Sequence, residues 1–140
     1  MKHIIFCGLL ISIMSFPIYA GQDTKGFKVD VVLNSTATMS GHPLSVPSGD
    51  NIKIEAHVVQ IAPKSEIGKH SHPYPVLTYV ISGSMEVENE DGSKQTFSAG
   101  QSFIEDANTW VINRNNSNEP VKFLAVLYAQ KDQQTVMLKE

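Results

Sequence analysis

Residues 67–92 read IGKHSHPYPVLTYVISGSMEVENEDG. A run of β-favouring residues begins at Val76, and further on the apolar Met85 and Val87 alternate with glutamates. This alternation has the period of two that is typical of a strand with one buried face. Asp91-Gly92 then indicates a tight hairpin turn, because glycine tolerates a positive φ. The stretch therefore predicts consecutive antiparallel strands.

The same alternation continues on both sides of this stretch. Apolar residues occupy every second position in Phe27–Leu33 and in Ile52–Val58, and we expect these residues to face a core. Further short apolar runs, separated by turn-forming residues, lie at Phe97, Phe103–Ile104, Trp110–Ile112 and Val121–Tyr128. No helix of ten or more residues is expected after the first twenty residues. Many short strands indicate an all-β sandwich or closed barrel.

The first twenty residues have the layout of a secretory signal peptide. A charged start is followed by an apolar run over Ile4–Phe16 and by a small residue, Ala20. A transmembrane anchor is the alternative, but these 13 residues are fewer than the roughly 20 that span a bilayer. We expect cleavage after Ala20 and a periplasmic or secreted protein. The predicted organisation is a signal peptide (1–20), an N-terminal strand and loop region (21–51), one barrel domain (52–130) and a C-terminal tail (131–140).

Composition restricts the partners of the chain. Cys7 is the only cysteine and lies in the predicted signal segment, so the mature chain has no disulfide. After removal of Lys2 the chain has 10 Lys and Arg residues against 14 Asp and Glu residues, a net charge of −4. Arg114 is the only arginine. This balance disfavours nucleic acid and anionic membrane surfaces as partners.

Two histidines are the strongest signal for chemistry. His70 and His72 are one residue apart, so on a strand their side chains point to the same face. Two imidazoles on one face can bind one divalent ion. A pair of polar residues at the start of a strand is the alternative interpretation. His42 and His57 stand alone, and each is interpreted as a surface or hydrogen-bonded histidine.

The spacing around this pair resembles the first signature of the cupin superfamily, in which His-x-His is followed by a Glu and, six residues after it, by a Gly. Val76 stands where the Glu is expected, and Gly83 stands at the glycine position. The second signature begins with a Gly after a small turn and continues to a His and an Asn four residues beyond it. Gly100 fits the turn, and alignment on Asn115 places Val111 at the position of this histidine.

The resemblance covers roughly Ile52–Ala129 and implies a small single-domain cupin of the cupin type-2 kind, with an RmlC-like jelly-roll β-barrel. A complete cupin site has three histidines and one glutamate. This chain retains His70 and His72 only, so the resemblance implies a degenerate site for one divalent transition metal ion (Fe, Zn, Ni, Cu or Mn). Val76, Tyr79, Trp110 and Val111 are expected to line the cavity.

Other residues in the facing segment could complete the ligand set. Glu105 is the best candidate because it offers an anionic oxygen, and a solvated or hydrogen-bonded carboxylate at a strand end is the alternative. Asn108 also lies in this segment. We expect Asn113 and Asn115 to cap turns, as asparagine often does.

Two functions stay open at this stage. An exported module that binds a small molecule, with a weakly held metal, comes first because two valines in place of two ligands make the cavity more apolar. A metal-dependent oxygenase, isomerase or lyase acting on a small organic substrate is the alternative, with the metal as Lewis acid. No catalytic residue is assigned. A purely structural role, with the chain as a homodimer, is a third possibility.

Overall fold

The strands of the molecule form two antiparallel sheets, as a computed structural model that describes residues 26–139 shows. The nine strands of residues 26–139 are β1 (Ile52–Ile61), β2 (Ser65–Ser71), β3 (Val76–Ser82), β4 (Ser84–Asn89), β5 (Lys94–Ser98), β6 (Ser102–Glu105), β7 (Val111–Asn115), β8 (Val121–Gln130) and β9 (Met137–Leu138). One sheet has the order β1-β8-β3-β6, and the other has the order β5-β4-β7-β2-β9. Consecutive strands alternate between the two sheets except for β4 and β5, which pair with each other in one sheet. The predicted all-β fold is confirmed.

The predicted signal peptide lies outside the described residues. Among residues 26–139 no helix is long and apolar enough to cross a membrane. The chain divides into two units between Val31 and Val32, and residues 26–31 are the described part of the first. The predicted strand over Phe27–Leu33 is reduced to one β-bridge residue, Phe27, and among the described residues none of β1–β9 includes or pairs with this segment. An alternating pattern gives a stable strand only when a neighbouring strand takes up its backbone hydrogen bonds.

The core lies between the two sheets. Its buried members come from both of them, and they include Val80 of β3, Met85 and Val87 of β4, Phe103 of β6 and Phe123 of β8. Burial of such side chains contributes about 1.5–3 kcal/mol each. The chain can therefore hold this fold by packing, without a disulfide.

Strand β1 is oriented opposite to the expectation from its sequence. Ile54 and Val58 are 62% and 61% exposed, so the predicted core face of β1 points outward. The register explains this result, because Val59 pairs with Phe123 and Ile61 pairs with Val121, two buried residues of β8. A shift by one residue would turn every side chain of the strand to the other face. The same register turns the alternating polar residues of β1, among them His57, toward the inside.

The turn from β3 to β4 requires glycine. Gly83 has a φ of 78°, a value that residues with a side chain rarely adopt. A Cβ at this position would also lie 2.7 Å from the carbonyl oxygen of Pro120. Gly83 therefore lets the chain cross between the sheets directly beside the start of β8.

Candidate metal and ligand site

The two histidines of the His-x-His pair both lie inside the barrel. His70 is in β2 and is 4% exposed, whereas His72 follows the end of β2 and is 6% exposed. Nδ1 of His70 lies 2.8 Å from the carbonyl oxygen of Gly68, and Nδ1 of His72 lies 2.8 Å from the carbonyl oxygen of Thr135. A carbonyl oxygen can only accept, so each Nδ1 carries a proton and donates it. In the neutral rings, Nε2 is therefore the atom with a free lone pair.

Glu105 brings a carboxylate to these rings. It ends β6 and pairs with Val76 of β3, and it is 2% exposed, so it is not a solvated carboxylate at a strand end. Its Oε2 lies 3.4 Å from Nε2 of His72. One ligand atom each of His70, His72 and Glu105 can be chosen so that all three lie within 4.8 Å of one another. The sequence does not show this contact, because it forms between the end of β6 in one sheet and the residue after β2 in the other.

The charges of this cluster depend on one another. Burial alone would lower the pKa of His72, but the hydrogen bond and the negative charge of Glu105 outweigh burial and raise it. Burial lowers the pKa of His70, and the charge of Glu105 offsets this only in part. Burial would raise the pKa of Glu105, but its hydrogen bond to His72 and the charges of both rings lower it. Glu105 therefore favours a positive charge, from a proton or a cation, between itself and the rings.

A cavity of about 100 Å³ adjoins this cluster. Most of its lining is apolar, and the contributing residues are Val59, Ile67, Val76, Phe123, Ala125, Leu127 and Val136. Its polar lining consists of His57, His70, His72, Thr78, Glu105 and Asn113. An apolar hollow with a few converging polar groups is the usual form of a small-molecule site.

The structure corrects three of the four predicted lining residues. Val76 lines the cavity, whereas Tyr79, Trp110 and Val111 do not. Tyr79 is partly exposed and alternates on β3 with the inward Thr78 and Val80, so it points to the other face. Trp110 precedes β7 and is also partly exposed, and Nζ of Lys139 lies 5.6 Å from the centre of its ring.

Val111 lies next to the pair without reaching the cavity. It is 1% exposed, belongs to the core cluster, and is paired in register with His70. Residues directly opposite each other on antiparallel strands share one face. The alignment that assigned Val111 to the third histidine position thus agrees with the register of β7 and β2.

The asparagines of the facing segment have three different roles. Nδ2 of Asn113 donates to Oε1 of Glu105 at 3.0 Å, so the expectation that Asn113 caps a turn is wrong. Asn115 does stabilise a turn, because its Nδ2 donates to the carbonyl of Glu119 at 2.7 Å. Asn108 has an exposed side chain and a φ of 54°, and its backbone amide donates to the carbonyl of His72 at 2.7 Å.

Sequence reasoning missed several residues of the site. His57 lines the cavity, and its Nε2 lies 3.1 Å from Oε2 of Glu55. The region predicted as a tail contributes β9, which pairs with His70 and Ser71, and it contributes the carbonyl of Thr135. The inward face of β1 depends on its register with β8, and the path of residues 131–139 depends on pairing with β2. The local pattern of the sequence indicates neither the register of β1 nor the path of residues 131–139.

Comparison with known proteins identifies the fold family. Residues 57–127 match the family model of the Cupin domain, which is half of the chain. The chain belongs to the cupin family. No curated protein is significantly similar in sequence to this cupin.

Several solved structures share the fold of this cupin. An uncharacterized conserved protein with a double-stranded β-helix domain from Klebsiella pneumoniae subsp. pneumoniae MGH 78578 is 28% identical, with a TM-score of 0.54 over 69% of this chain and 83% of that chain. The DMSP lyase DddQ from Ruegeria pomeroyi DSS-3 is 16% identical, with a TM-score of 0.54 over 71% of this chain and 47% of that chain. The oxalate decarboxylase of Lactobacillus farciminis is 18% identical, with a TM-score of 0.52 over 68% and 33%. The cupin spans less than half of the length of both enzymes.

Proposed function

We propose that this cupin holds one divalent transition metal ion through His70, His72 and Glu105 and binds a small, mainly apolar molecule in the adjoining cavity. One observation carries the proposal. Both Nδ1 atoms are tied to backbone carbonyls, so the free lone pairs of the two rings lie beside a buried carboxylate. A hydrogen bond from the second ring nitrogen to a carbonyl is the usual orienting contact of metal-binding histidines.

The distances and the donor set suit a metal ion. Two ligand atoms about 2.1 Å from an ion in tetrahedral geometry are about 3.4 Å apart. Nε2 of His72 and Oε2 of Glu105 have this separation. Two imidazoles with one carboxylate bind zinc or iron in many proteins. Glu105 would then replace the ligands that are absent at Val76 and Val111.

A metal-dependent enzyme is the second candidate, and the cavity favours it. Three protein ligands leave coordination positions open, and the same three residues line the cavity. A bound divalent ion would act there as a Lewis acid on an oxygen of the ligand. The lyase and the decarboxylase among the structural relatives share the fold alone, so their substrates do not transfer to this chain. Export stays a prediction from the sequence.

Metal analysis tests the proposal directly. Residues 21–140 are purified without chelator, incubated with excess Zn²⁺ or Fe²⁺, desalted and examined by elemental analysis. We expect close to one equivalent in the wild type and almost none in the His70→Ala/His72→Ala double variant. We also expect Glu105→Gln to weaken Zn²⁺ binding about 100-fold. Removal of a group that only hydrogen-bonds a metal ligand typically weakens metal binding by about 10- to 100-fold, and loss of a ligand itself should reach the upper end of this range.

A matched histidine serves as the control. His42→Ala removes an imidazole that does not line the cavity, and it should leave the metal content unchanged. Metal retained at one equivalent by the double variant would show that the pair is not the site. A wild type without metal after incubation would end both candidate functions as stated.

A further inference from the structure

Unpartnered polar atoms are concentrated at the cavity. Among the described residues, four buried side-chain atoms have no hydrogen-bond partner, and they belong to Thr78, Asn89, Ser102 and Asn113. Two of these four residues, Thr78 and Asn113, line the one cavity described above. Buried polar groups are nearly always paired, and an unpaired one is costly. The two atoms therefore indicate a partner that comes from outside the chain.

The amide of Asn113 specifies what this partner must offer. Its Nδ2 donates to Glu105, so the amide cannot turn around without losing a hydrogen bond to a buried carboxylate. The atom left without a partner is Oδ1, which can only accept. Asn113 is 2% exposed and lines the cavity. A ligand that satisfies this oxygen must bring an O–H or N–H group.

The hydroxyl of Thr78 restricts further which chemical group the ligand can carry. Thr78 is fully buried on β3, and its neighbour across the ladder to β8 is Ala125, which also lines the cavity. A threonine hydroxyl can both donate and accept. A hydroxyl on the ligand has one proton and two lone pairs, so it can donate to Oδ1 of Asn113 and at the same time accept from the hydroxyl of Thr78.

In the metal-free site the charges of the lining disfavour acidic ligands. Among residues 26–139 no lysine or arginine lines the cavity, and Glu105 contributes a carboxylate. A carboxylate ligand has no proton to donate to Oδ1 of Asn113, and Glu105 would repel it. An ammonium ligand would compete with the proposed metal ion for Glu105.

We propose that Thr78 and Asn113 recognise a hydroxyl group, and that the ligand of this cavity is a small neutral alcohol or phenol. The proposal rests on the cavity being the ligand site described under the proposed function. The volume of about 100 Å³ sets the size of the ligand. An engineered apolar cavity of about 150 Å³ takes up benzene, so a ring of five or six atoms that reaches toward the mouth is suitable.

A matched set of probes on one ring tests the chemical class. Cyclopentanol, cyclopentanecarboxylate and cyclopentylamine are titrated into the metal-free and the Zn²⁺-loaded protein, and binding is followed by amide chemical shifts in NMR. We expect cyclopentanol to bind at least about tenfold more tightly than the carboxylate in the metal-free protein, and at least about tenfold more tightly than the amine in the Zn²⁺-loaded protein, a difference of about 1.4 kcal/mol in each case. The shifts should centre on β3 and β7, the strands of Thr78 and Asn113.

A pair of variants tests the role of the hydroxyl. Thr78→Val keeps the shape of the side chain and removes the unpartnered hydroxyl, so it should weaken cyclopentanol binding about tenfold. It should also raise the melting temperature of the ligand-free protein by roughly 3 °C, because a buried unpaired group is lost. Ser102→Ala removes an unpartnered hydroxyl that does not line the cavity, and it should leave cyclopentanol binding unchanged.

The outcomes separate this inference from the proposed metal site. The inference would be overturned if cyclopentanol bound the metal-free protein no better than the carboxylate, or the Zn²⁺-loaded protein no better than the amine. It would also be overturned if cyclopentanol bound neither form of the protein. Unchanged binding in Thr78→Val would also overturn it. Zn²⁺ titration of the same samples reports the metal site by itself, and Thr78→Val should keep the wild-type affinity for Zn²⁺. Zinc binding without alcohol binding rejects only this inference, and alcohol binding without zinc binding rejects only the metal site.

Discussion

Glu105 and Asp106 are consecutive carboxylates with the same burial and different surroundings. Each is 2% exposed. Glu105 points into the barrel, where Asn113 donates to one oxygen and the ring of His72 lies 3.4 Å from the other. Asp106 contacts a different part of the chain, the loop before β1. Oδ2 of Asp106 accepts from Ser40 at 2.6 Å, and its Oδ1 accepts from the hydroxyl of Thr38 and from Nδ1 of His42 at 2.7 Å.

The different surroundings of the two carboxylates indicate different roles: Asp106 is structural, and Glu105 can bind a cation. Three donors from the loop satisfy Asp106, so its charge is used to hold residues 38–42 against the barrel. Glu105 has one neutral donor and an imidazole whose free nitrogen is itself an acceptor unless it carries a proton. Buried charge is stable only when it is paired and hydrogen-bonded. Glu105 therefore keeps the capacity to bind a cation, and Asp106 does not.

The largest expected effect is a loss of stability in Asp106→Asn. This change removes a negative charge that three side chains contact, and it leaves at least one of them facing an amide N–H. Hydrogen bonds to charged groups contribute about 1.5–3 kcal/mol each, and we expect a total loss of about 2–4 kcal/mol. Urea unfolding of the metal-free protein measures this difference. Zn²⁺ binding should be nearly unchanged, and a parallel loss of zinc affinity would show that the two carboxylates are not independent.

We expect an effect of intermediate size in the pH dependence of the stability difference between the wild type and Asp106→Asn. Burial would raise the pKa of Asp106, but its hydrogen bonds to Ser40, Thr38 and His42 lower it. A carboxyl with a lowered pKa in the folded state stabilises the fold above its unfolded pKa of about 3.9, and this contribution disappears as the pH falls through the folded value. The stability difference between the wild type and Asp106→Asn should therefore shrink as the pH falls below about 4. Urea unfolding from pH 7 to pH 2 measures it, and a difference that stays constant would contradict the assignment.

The smallest expected effect is the change in stability of metal-free Glu105→Gln. Loss of the carboxylate leaves no unpaired charge, because His72 can release its proton, and the glutamine oxygen can still accept from Asn113. The cost of burying the charge is removed at the same time. We expect the free energy of unfolding to change by less than about 1 kcal/mol. A loss as large as that of Asp106→Asn would mean that Glu105, too, is mainly structural.

The sequence predicts the fold better than it predicts the site. Alternation through β3 and β4 and the glycine of their turn depend on neighbouring residues, so the sequence shows them directly. The position of His70 and His72 inside the barrel also follows from their spacing on one strand. Glu105 is recognisable as an oxygen donor, but its contact with His72 joins two sheets, because Glu105 ends β6 of one sheet and His72 follows β2 of the other.

The errors also have a physical origin in long-range pairing. The apolar side of β1 was expected to face the core, and the register with β8 turns it outward. Asn113 resembles a turn-capping residue until β7 places it beside Glu105. Tyr79 is an aromatic residue of the kind that often lines a cavity, but it follows Thr78 on β3 and therefore points to the opposite face of the sheet. For β1 and Asn113 a neighbouring strand determines which side chains face the interior, whereas for Tyr79 the phase of the alternation along β3 determines it.

The hydrogen bond from His72 to Thr135 also indicates that the site forms late in folding. These residues are 63 positions apart, and Thr38 and Asp106 are 68 positions apart. Contacts between distant residues form slowly, because the chain loses the entropy of a long loop before it gains the contact. We therefore expect the orientation of the His72 ring to be fixed only after the strands on both sides of it are in place. An ion that arrives during folding meets a loose chelator, and an ion that arrives afterwards meets a set of ligands that are already oriented.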